Sequence, residues 1–332
     1  MERRTLGSLQ VSAIGLGCMG MAGVNGMAAM YGAVDRAEAI ATLHHALEIG
    51  IDFLDTAEVY GPFANEELLG EALADRRDKA IIATKFGFDI VDGRSVGVNS
   101  RPDHIRAVCE AACKRLRTDH IDLFYQHRVD PKVPIEDVVG TLADLKREGK
   151  IRAIGLSEAG PETIRRAHAT HPIDALQSEW SLWERTAEPD IIPLVRELGI
   201  GFVPYSPLGR GFLAGTAKRA EELPDSDYRK HDPRYQGANF DANMKAMAVV
   251  KAVADRHQAT AAQVAIAWLL AQGPDVVPIP GCKRRATLED SAGAASLKLT
   301  AADLAELDAA APVGSTAGER YGNPAMMRMV RI

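Results

Sequence analysis

The chain has 332 residues, and 39 Lys and Arg against 45 Asp and Glu give it a formal charge of −6 at neutral pH. With 46% hydrophobic residues it can build a large core, which excludes a disordered chain, a collagen and a coiled coil. Its mild acidity predicts no nucleic-acid partner and no anionic membrane surface as a partner.

The cysteines and the distribution of apolar residues predict where the protein works. Cys18, Cys109, Cys113 and Cys282 are too few and too scattered to crosslink a chain of this length, so we expect free thiols. The N-terminal residues do not form a signal peptide, and no apolar run reaches the roughly 18 residues of a membrane span. We therefore expect a cytoplasmic protein.

Short apolar runs alternate with longer amphipathic segments along the chain. The runs typical of buried parallel strands are residues 13–17, 51–56, 80–85, 121–126, 151–157, 173–177, 201–205 and 276–279. The segments with helical periodicity are 36–49, 65–73, 102–116, 135–148, 161–168, 189–198, 243–272 and 287–294. The segment 243–272 is too long for one helix, and we expect a break near residues 258–260.

Eight strand–helix units with short returns predict an α/β fold, a (β/α)8 TIM barrel. We expect one domain over residues 1–332, an N-terminal β-hairpin around Gly7-Ser8 that caps the barrel, and a C-terminal tail from about residue 312. A long polar segment after the seventh strand, residues 215–241, is expected to cover the site. A doubly wound open sheet uses the same alternation and remains the alternative.

One glycine pattern suggests a different fold. Gly15, Gly17 and Gly20 match the G-x-G-x-x-G pattern of dinucleotide-binding Rossmann domains. That pattern needs a helix that begins at its end, because the helix N-terminus holds the pyrophosphate. Residues 21–26 carry two more glycines and no helical stripe. A glycine-rich loop after the first barrel strand is therefore favoured.

Titratable residues lie at the ends of three consecutive predicted strands. Asp55, Lys85 and His127 end or follow the second, third and fourth strands, and Tyr60 lies in the loop after Asp55. The C-terminal ends of barrel strands form the mouth where active sites lie, so we expect these side chains to meet. Taken singly, each is more often a solvated loop charge or a structural histidine. Their convergence favours a site.

The residue types determine what such a site could do. A tyrosine hydroxyl has an ordinary pKa of about 10, a nearby ammonium lowers that pKa, and a carboxylate fixes the ammonium in place. With a histidine that donates a second hydrogen bond, Tyr60 and Lys85 would polarise a carbonyl group and protonate its oxygen. None of these side chains donates a hydride, so a nicotinamide cofactor is the simplest electron source.

Six stretches of the chain resemble motifs of the aldo-keto reductases. They are residues 55–61, 83–87, 122–130, 154–158, 205–211 and 278–281. They occur in the family's order, and the resemblance extends from about residue 3 to residue 311. The chain is most similar to the branch of auxin-induced-protein-like and perakine-reductase-like enzymes. Together these motifs are highly specific.

The resemblance implies an NADP-dependent oxidoreductase that reduces a small-molecule aldehyde or ketone, with Tyr60 as general acid assisted by Lys85, Asp55 and His127. It also implies NADP(H) bound across the barrel rim. The implied cofactor contacts are Gly17, Cys18, Met19, Ser157, Glu158, Gln177, Tyr205, Ser206, Leu208, Gly209, Arg210, Gly281, Lys283, Arg284, Glu289 and Asp290. Among these, Ser157, Glu158 and Gln177 would meet the nicotinamide amide, and Tyr205 would stack on its ring.

The basic run after the eighth predicted strand matches the place where the family binds the 2′-phosphate of NADP(H). A dianionic phosphate prefers adjacent cations, which Lys283, Arg284 and Arg285 would supply. The alternative is a solvated basic turn. Two residues depart from the family pattern: Cys282 removes a hydroxyl donor to this phosphate, and Asp290 removes an amide donor to the adenine.

The predicted barrel has two alternative functions besides carbonyl reduction. One is an NADP(H)-binding regulatory or redox-sensing subunit of the channel β-subunit type, with little turnover. The other is a metal-dependent barrel hydrolase, which needs several histidines and carboxylates at strand ends, where only His127 qualifies; no metal is expected.

The substrate and the oligomeric state are not predicted by the sequence. We expect specificity to come from the loops at residues 20–33, 86–98, 180–184 and 215–241. The methionine-rich tail at residues 326–329 could be a flexible end or an edge of the pocket.

Overall fold

The computed structural model describes residues 1–21, 34–225 and 227–332. Its strands are β1 (Arg3–Leu6), β2 (Leu9–Ser12), β3 (Leu16–Gly17), β4 (Phe53–Asp55), β5 (Ile81–Phe86), β6 (Phe88–Val91), β7 (Arg94–Val98), β8 (Ile121–Gln126), β9 (Ile151–Ser157), β10 (Ala175–Glu179) and β11 (Gly201–Tyr205). Its helices are α1 (Arg36–Glu48), α2 (Ala64–Ala72), α3 (Pro102–Leu116), α4 (Ile135–Arg147), α5 (Pro161–Thr170), α6 (Ile191–Glu197), α7 (Gly237–His257), α8 (Ala261–Ala271), α9 (Arg285–Gly293), α10 (Ala301–Ala310) and α11 (Pro324–Met327).

Seven parallel strands form one sheet in the order β11-β10-β9-β8-β5-β4-β3. Residues 276–281 close the sheet into a barrel, because the amide of Val277 donates to the carbonyl of Phe202 at 2.9 Å and the amide of Gly17 donates to that of Pro280 at 3.0 Å. This eighth strand is reduced to single bridges, since its two prolines have no amide hydrogen. The predicted (β/α)8 TIM barrel is confirmed, and the doubly wound sheet is wrong.

The barrel strands are buried on both faces, which is why their sequences are continuously apolar. In β8, Leu123 and Tyr125 point into the barrel, whereas Phe124 points outward to the helices. The predicted N-terminal hairpin β1–β2 is present, and its Leu6 and Val11 belong to the same inner cluster, so it closes the barrel floor.

The helices cover the barrel with one apolar face each. In α4, the buried residues include Ile135, Val138, Val139, Leu142 and Leu145, which follow the helical period. The expected break in residues 243–272 is present: a residue with left-handed backbone ends α7, and a capping box begins α8.

Three parts of the fold differ from the sequence prediction. Helix α7 begins at Gly237, earlier than expected, because the apolar period of its first turn is weak. The loop expected at residues 86–98 contains the antiparallel hairpin β6–β7. The tail after α10 returns to the barrel mouth, where the amide of Arg331 donates to the carbonyl of Glu158 at 2.7 Å.

Candidate active site

The structure brings Asp55, Tyr60, Lys85 and His127 together at the barrel mouth, and we call these four side chains the lysine cluster. The Lys85 Nζ donates to Asp55 Oδ1 at 2.5 Å and to the carbonyl of Thr56 at 2.8 Å. The same Nζ lies 3.4 Å from the hydroxyl oxygen of Tyr60. They meet because β4, β5 and β8 are neighbours in the sheet and end at the same edge.

Burial sets the protonation states in the lysine cluster. The side chain of Lys85 is fully buried. Burial alone would lower the pKa of Lys85, but Asp55 and Tyr60 together raise that pKa above its ordinary value. Burial raises the pKa of Tyr60, and Lys85 offsets only part of that rise. The lysine is therefore charged and the phenol carries its proton at neutral pH.

His127 lies across from Tyr60 as a neutral imidazole. Its ring meets that of Tyr60 edge-on, with the ring centroids 5.9 Å apart, and Phe88 of β6 packs against its other side at 5.0 Å. Burial, Lys85 and Arg128 hold the pKa of His127 well below its ordinary value. A neutral imidazole keeps one N–H for a ligand, so His127 can donate a hydrogen bond.

Gln177 is bound to the lysine cluster through Asp55. Its Nε2 donates to Asp55 Oδ2 at 2.8 Å, while Lys85 holds the other carboxylate oxygen. Gln177 therefore helps to orient the carboxylate. The resemblance assigned Gln177 to the nicotinamide amide, and this position at the mouth is compatible with both contacts.

The C-terminal tail reaches two residues that the sequence assigns to the nicotinamide. The Arg320 Nη2 lies 2.5 Å from Glu158 Oε1 and 2.7 Å from the hydroxyl of Tyr205. The hydroxyl of Tyr321 lies 2.8 Å from that of Tyr205. Sequence reasoning missed Arg320 and Tyr321, because nothing in the tail indicates that it returns to the strand ends.

Arg320 belongs to a larger set of buried charges, which we call the arginine cluster: Glu158, Glu179, Arg210, Arg234 and Arg320. Glu179 ends β10 and contacts Arg210 at 3.3 Å, Arg234 at 3.1 Å and Arg320 at 2.7 Å. Burial would raise the pKa of Glu179, but the three guanidinium groups lower it to about 2. Arg210, expected at the pyrophosphate, is thus a member of this cluster and also pairs with Asp232 at 2.5 Å.

The loop after β11 is a tight turn of left-handed residues. Ser206, Gly209, Arg210 and Gly211 all have positive φ, at 50°, 55°, 58° and 108°, and Leu208 lies in the same turn. The amide of Gly209 donates to the carbonyl of Ser206 at 2.9 Å, and the amide of Gly211 donates to that of Leu208 at 3.0 Å. The loop to which the resemblance assigns the pyrophosphate thus uses these two amides internally.

Cationic side chains follow residues 276–281, which close the barrel. Among the described residues, a Cβ at Gly281 would come within 4 Å of the carbonyl oxygen of Gly17 alone, at 3.9 Å. Burial lowers the pKa of Lys283, and the positive charges of Arg284 and Arg229 lower it further. Cations crowded in this way favour a bound anion. Sequence reasoning missed Arg229, which is distant in the chain.

The other residues that sequence reasoning placed near this site already have protein partners. Arg285 pairs with Glu38 at 2.9 Å. Glu289 pairs with His45 at 2.8 Å, and Asp290 accepts a hydrogen bond from Thr260 at 2.9 Å. These contacts hold α9 against its neighbours, so Arg285, Glu289 and Asp290 are already engaged within the protein.

The first strand brings Gly17 and Cys18 beside the lysine cluster. Gly17 pairs with Asp55 in the sheet, and the amide of Cys18 donates to the carbonyl of Asp55 at 2.9 Å. Met19 begins a single 3₁₀ turn. The Rossmann interpretation is wrong, since Gly17 ends a strand of the closed barrel and Gly20 lies in that 3₁₀ turn. The specificity loop expected at residues 20–33 lies outside the described residues beyond Met21.

The described residues also bear on a metal site and on a membrane-spanning helix. Over residues 1–21, 34–225 and 227–332, no group of three His, Cys, Asp or Glu side chains is arranged to hold a metal ion. Over the same ranges no helix combines the length and the hydropathy that crossing a bilayer requires.

A closed parallel barrel with a buried lysine–tyrosine pair at its mouth and basic residues along its rim is typical of the barrel oxidoreductases. Comparison with known proteins gives the family. The aldo/keto reductase family model matches residues 13–312. A probable aldo-keto reductase 1 from Glycine max is 49% identical over 315 residues, which cover 95% of this chain and 89% of that protein.

Two solved structures agree with this match. The glycerol dehydrogenase AKR11B4 from Gluconobacter oxydans has a TM-score of 0.83 at 32% identity, covering 93% of this chain and 94% of that one. The thermostable aldo-keto reductase Tm1743, solved with the inhibitor epalrestat, has a TM-score of 0.75 at 28% identity, covering 93% and 100%. The chain belongs to the aldo/keto reductase family, a family of oxidoreductases that act on carbonyl groups with nicotinamide cofactors.

Proposed function

We propose that this protein reduces aldehydes and ketones to alcohols with NADPH, reversibly, and that Tyr60 is the general acid. The observation that carries the proposal is the placement of the Tyr60 hydroxyl 3.4 Å from the buried Nζ of Lys85, which Asp55 holds at 2.5 Å. The nicotinamide cofactor supplies the hydride, which adds to the carbonyl carbon.

The protein side chains handle the proton. The phenol of Tyr60, protonated at neutral pH because of burial, donates a hydrogen bond to the carbonyl oxygen and transfers its proton as negative charge develops there. The resulting phenolate is stabilised by the ammonium of Lys85, whose position Asp55 fixes. Neutral His127 donates a second hydrogen bond to the same oxygen. In the oxidative direction Tyr60 takes the proton back.

The rim of the barrel supports NADP(H) as the cofactor. Ser157 and Tyr205 end β9 and β11, and Gln177 of the intervening β10 contacts Asp55 of the lysine cluster; the nicotinamide would bind along these strands. The resemblance places the pyrophosphate at the left-handed loop around Gly209, which follows β11 at the same rim. Lys283 and Arg284 offer positive charges that a 2′-phosphate needs and that NADH would leave unused.

The test is a Tyr60→Phe variant, which removes the proton and leaves the ring. We expect kcat for a carbonyl substrate to fall by roughly 10²- to 10⁴-fold, because the general acid is lost. NADPH affinity, measured by fluorescence titration, should change little. Wild-type turnover in the variant would contradict the role of Tyr60.

The same titration separates reduction from the regulatory function. A panel of aldehydes and ketones with NADPH and NADH should give turnover with NADPH, together with a lower Kd for NADPH than for NADH. Tight NADPH binding with negligible turnover of every substrate would instead indicate the regulatory or sensing subunit. Equal affinity for the two cofactors would contradict the role of Lys283 and Arg284.

We also propose that the protein works in the cytoplasm. The support is that all four cysteines are free and that Cys18, Cys109 and Cys282 are buried as thiols. Oxidising compartments favour disulfides, so free thiols fit a reducing one. NADPH-dependent reduction also fits such a compartment.

A further inference from the structure

We propose that Arg128 binds a carboxylate of the substrate, so that the preferred substrates are aldehydes or ketones that also carry a carboxylate. This inference rests on the proposed carbonyl reduction and names the substrate class of that site. It starts from a buried guanidinium group whose partners among the described residues are all uncharged.

Arg128 follows His127 in the loop after β8 and is 5% exposed. It donates to the carbonyl of His127 at 2.8 Å, to the Ser157 hydroxyl at 3.3 Å and toward the Tyr321 hydroxyl at 3.4 Å. Its Nε is buried and has no hydrogen-bond partner among the described residues. Within those ranges no carboxylate oxygen lies within 4.0 Å of this guanidinium group.

The other buried arginines at the mouth are different. Arg210, Arg234 and Arg320 all contact Glu179, and each also reaches a second carboxylate. Buried charges are ordinarily paired, because an unpaired one loses its hydration without compensation. Arg128 is the exception among these four, and it lacks the hydrogen-bonded carboxylate that a ligand could supply.

Arg128 lies near the place where the carbonyl group would be reduced. Its positive charge helps to lower the pKa of both Tyr60 and His127, the two side chains that would contact the carbonyl oxygen. Arg128 also directly follows His127 and donates to its carbonyl at 2.8 Å, and the ring of His127 lies 5.9 Å from that of Tyr60. We therefore expect a carboxylate a few bonds away from the carbonyl carbon to reach the guanidinium group. The planar fork of arginine matches a carboxylate with two parallel hydrogen bonds.

Tyr321 is the contact that such a ligand would replace. Its hydroxyl is the most distant partner of Arg128, at 3.4 Å, and the residue is half-buried in the C-terminal tail. It also has a second partner in Tyr205, at 2.8 Å, which it can keep. A small shift of the tail would thus exchange a weak neutral contact for a charged pair.

A purely structural role makes a different prediction. The acids around the arginine cluster are Glu158, Glu179, Glu184 and Asp232, against the three paired arginines. Arg128 could balance the excess negative charge at longer range, and Glu158 does raise its pKa. In that case replacing Arg128 would affect all substrates equally, whereas carboxylate binding affects only the charged ones.

The experiment compares ω-oxo carboxylates of increasing chain length with their methyl esters, using NADPH and the full chain. The wild type should show a kcat/KM for at least one acid about 10- to 100-fold above that of its ester, the range of a charge-assisted pair. Arg128→Gln should lower kcat/KM for the acid about 10- to 100-fold more than for its ester, so that the preference is lost. Arg128→Lys, which keeps the charge without the fork, should retain part of the preference.

Arg152→Gln is the matched control, because it makes the same change of charge at the other end of the barrel. Arg152 lies near the N-terminal end of β9. Its side chain is 61% exposed and pairs with Asp122 at 3.1 Å. This variant should leave the ratio of acid to ester unchanged. A ratio that falls equally in both variants would mean that net charge, not Arg128, produces the preference, and would overturn the proposal.

The remaining outcomes also decide. An equal loss for acid and ester in Arg128→Gln would make the residue structural, and a raised Kd for NADPH with an unchanged ratio would make it a cofactor contact; either overturns the inference. Esters reduced as well as acids by the wild type would overturn it and leave carbonyl reduction standing. If wild type reduces neither, both proposals fail. Should Arg128→Gln not fold, the wild-type ratio and Arg128→Lys still decide.

Discussion

The lysine cluster and the arginine cluster lie side by side at the barrel mouth, yet they are built differently. The side chains of the lysine cluster come from β4, β5 and β8 and from the loops that follow these strands. The three strands are neighbours in the sheet. The arginine cluster joins the ends of β9 and β10 to the loop after β11 and to the C-terminal tail.

This difference in origin accompanies a difference in charge. The lysine cluster holds one cation, Lys85, against one carboxylate, Asp55. The arginine cluster holds three guanidinium groups around Glu179 and so keeps that carboxylate charged. The first arrangement leaves hydroxyl and imidazole groups available for a ligand, whereas the second uses its hydrogen bonds to hold segments together. The comparison assigns chemistry to one cluster and anchoring to the other.

Replacing the cation of the lysine cluster should have the largest effect. Lys85→Met would leave Asp55 buried without its partner and Tyr60 without a positive charge to stabilise its phenolate. We expect kcat to fall by roughly 10³-fold or more, while the tail stays in place. Steady-state kinetics and limited proteolysis of the tail measure the two effects. A variant with near-normal kcat would contradict the chemical role of this cluster.

Replacing the central tail residue of the arginine cluster should give the reverse pattern. Arg320→Met leaves Glu158 and Glu179 with fewer partners in a buried site, which costs about 3–5 kcal/mol of unfolding free energy. The tail should become sensitive to protease, and KM should rise more than kcat falls. Urea denaturation and kinetics test this. A stable variant with a 10³-fold loss of kcat would break the division between the two clusters.

The two clusters also differ in how far the sequence predicts them. Asp55, Lys85 and His127 could be predicted to meet, because consecutive parallel strands bring their C-terminal ends to one mouth whatever the details of packing. Arg320 could not, since its position depends on where the tail settles after α10, and no local pattern encodes that. Arg285 was expected at a phosphate and Glu289 at the cofactor, but side-chain pairing with Glu38 and His45 is a matter of helix packing that sequence spacing does not show.

A buried glutamate near the lysine cluster sharpens the comparison through pH. Burial and the nearby Glu66 raise the pKa of Glu58 to about 8, and Arg115 offsets only part of this. Because the folded pKa lies above the unfolded value, Glu58 contributes stability that is complete below pH 4.5 or so and is lost as the pH rises toward 8. Glu179 has a pKa of about 2, so it contributes stability that is complete above about pH 4.5 and is lost as the pH falls toward 2.

The measurement is urea denaturation at pH 5.5 and pH 8.5 for wild type and Glu58→Gln, which keeps an oxygen to accept hydrogen bonds without the charge. From pH 5.5 to pH 8.5, we expect the unfolding free energy of Glu58→Gln to rise by roughly 2–4 kcal/mol relative to that of the wild type. The reason is that the wild type must bury a charged carboxylate at pH 8.5. Glu179→Gln is the matched control: it removes a carboxylate that is already charged at both pH values, so its offset from wild type should be constant. An equal pH response of the two variants would mean that the region around Glu58 supplies a counter-charge, which is the property assigned only to the arginine cluster.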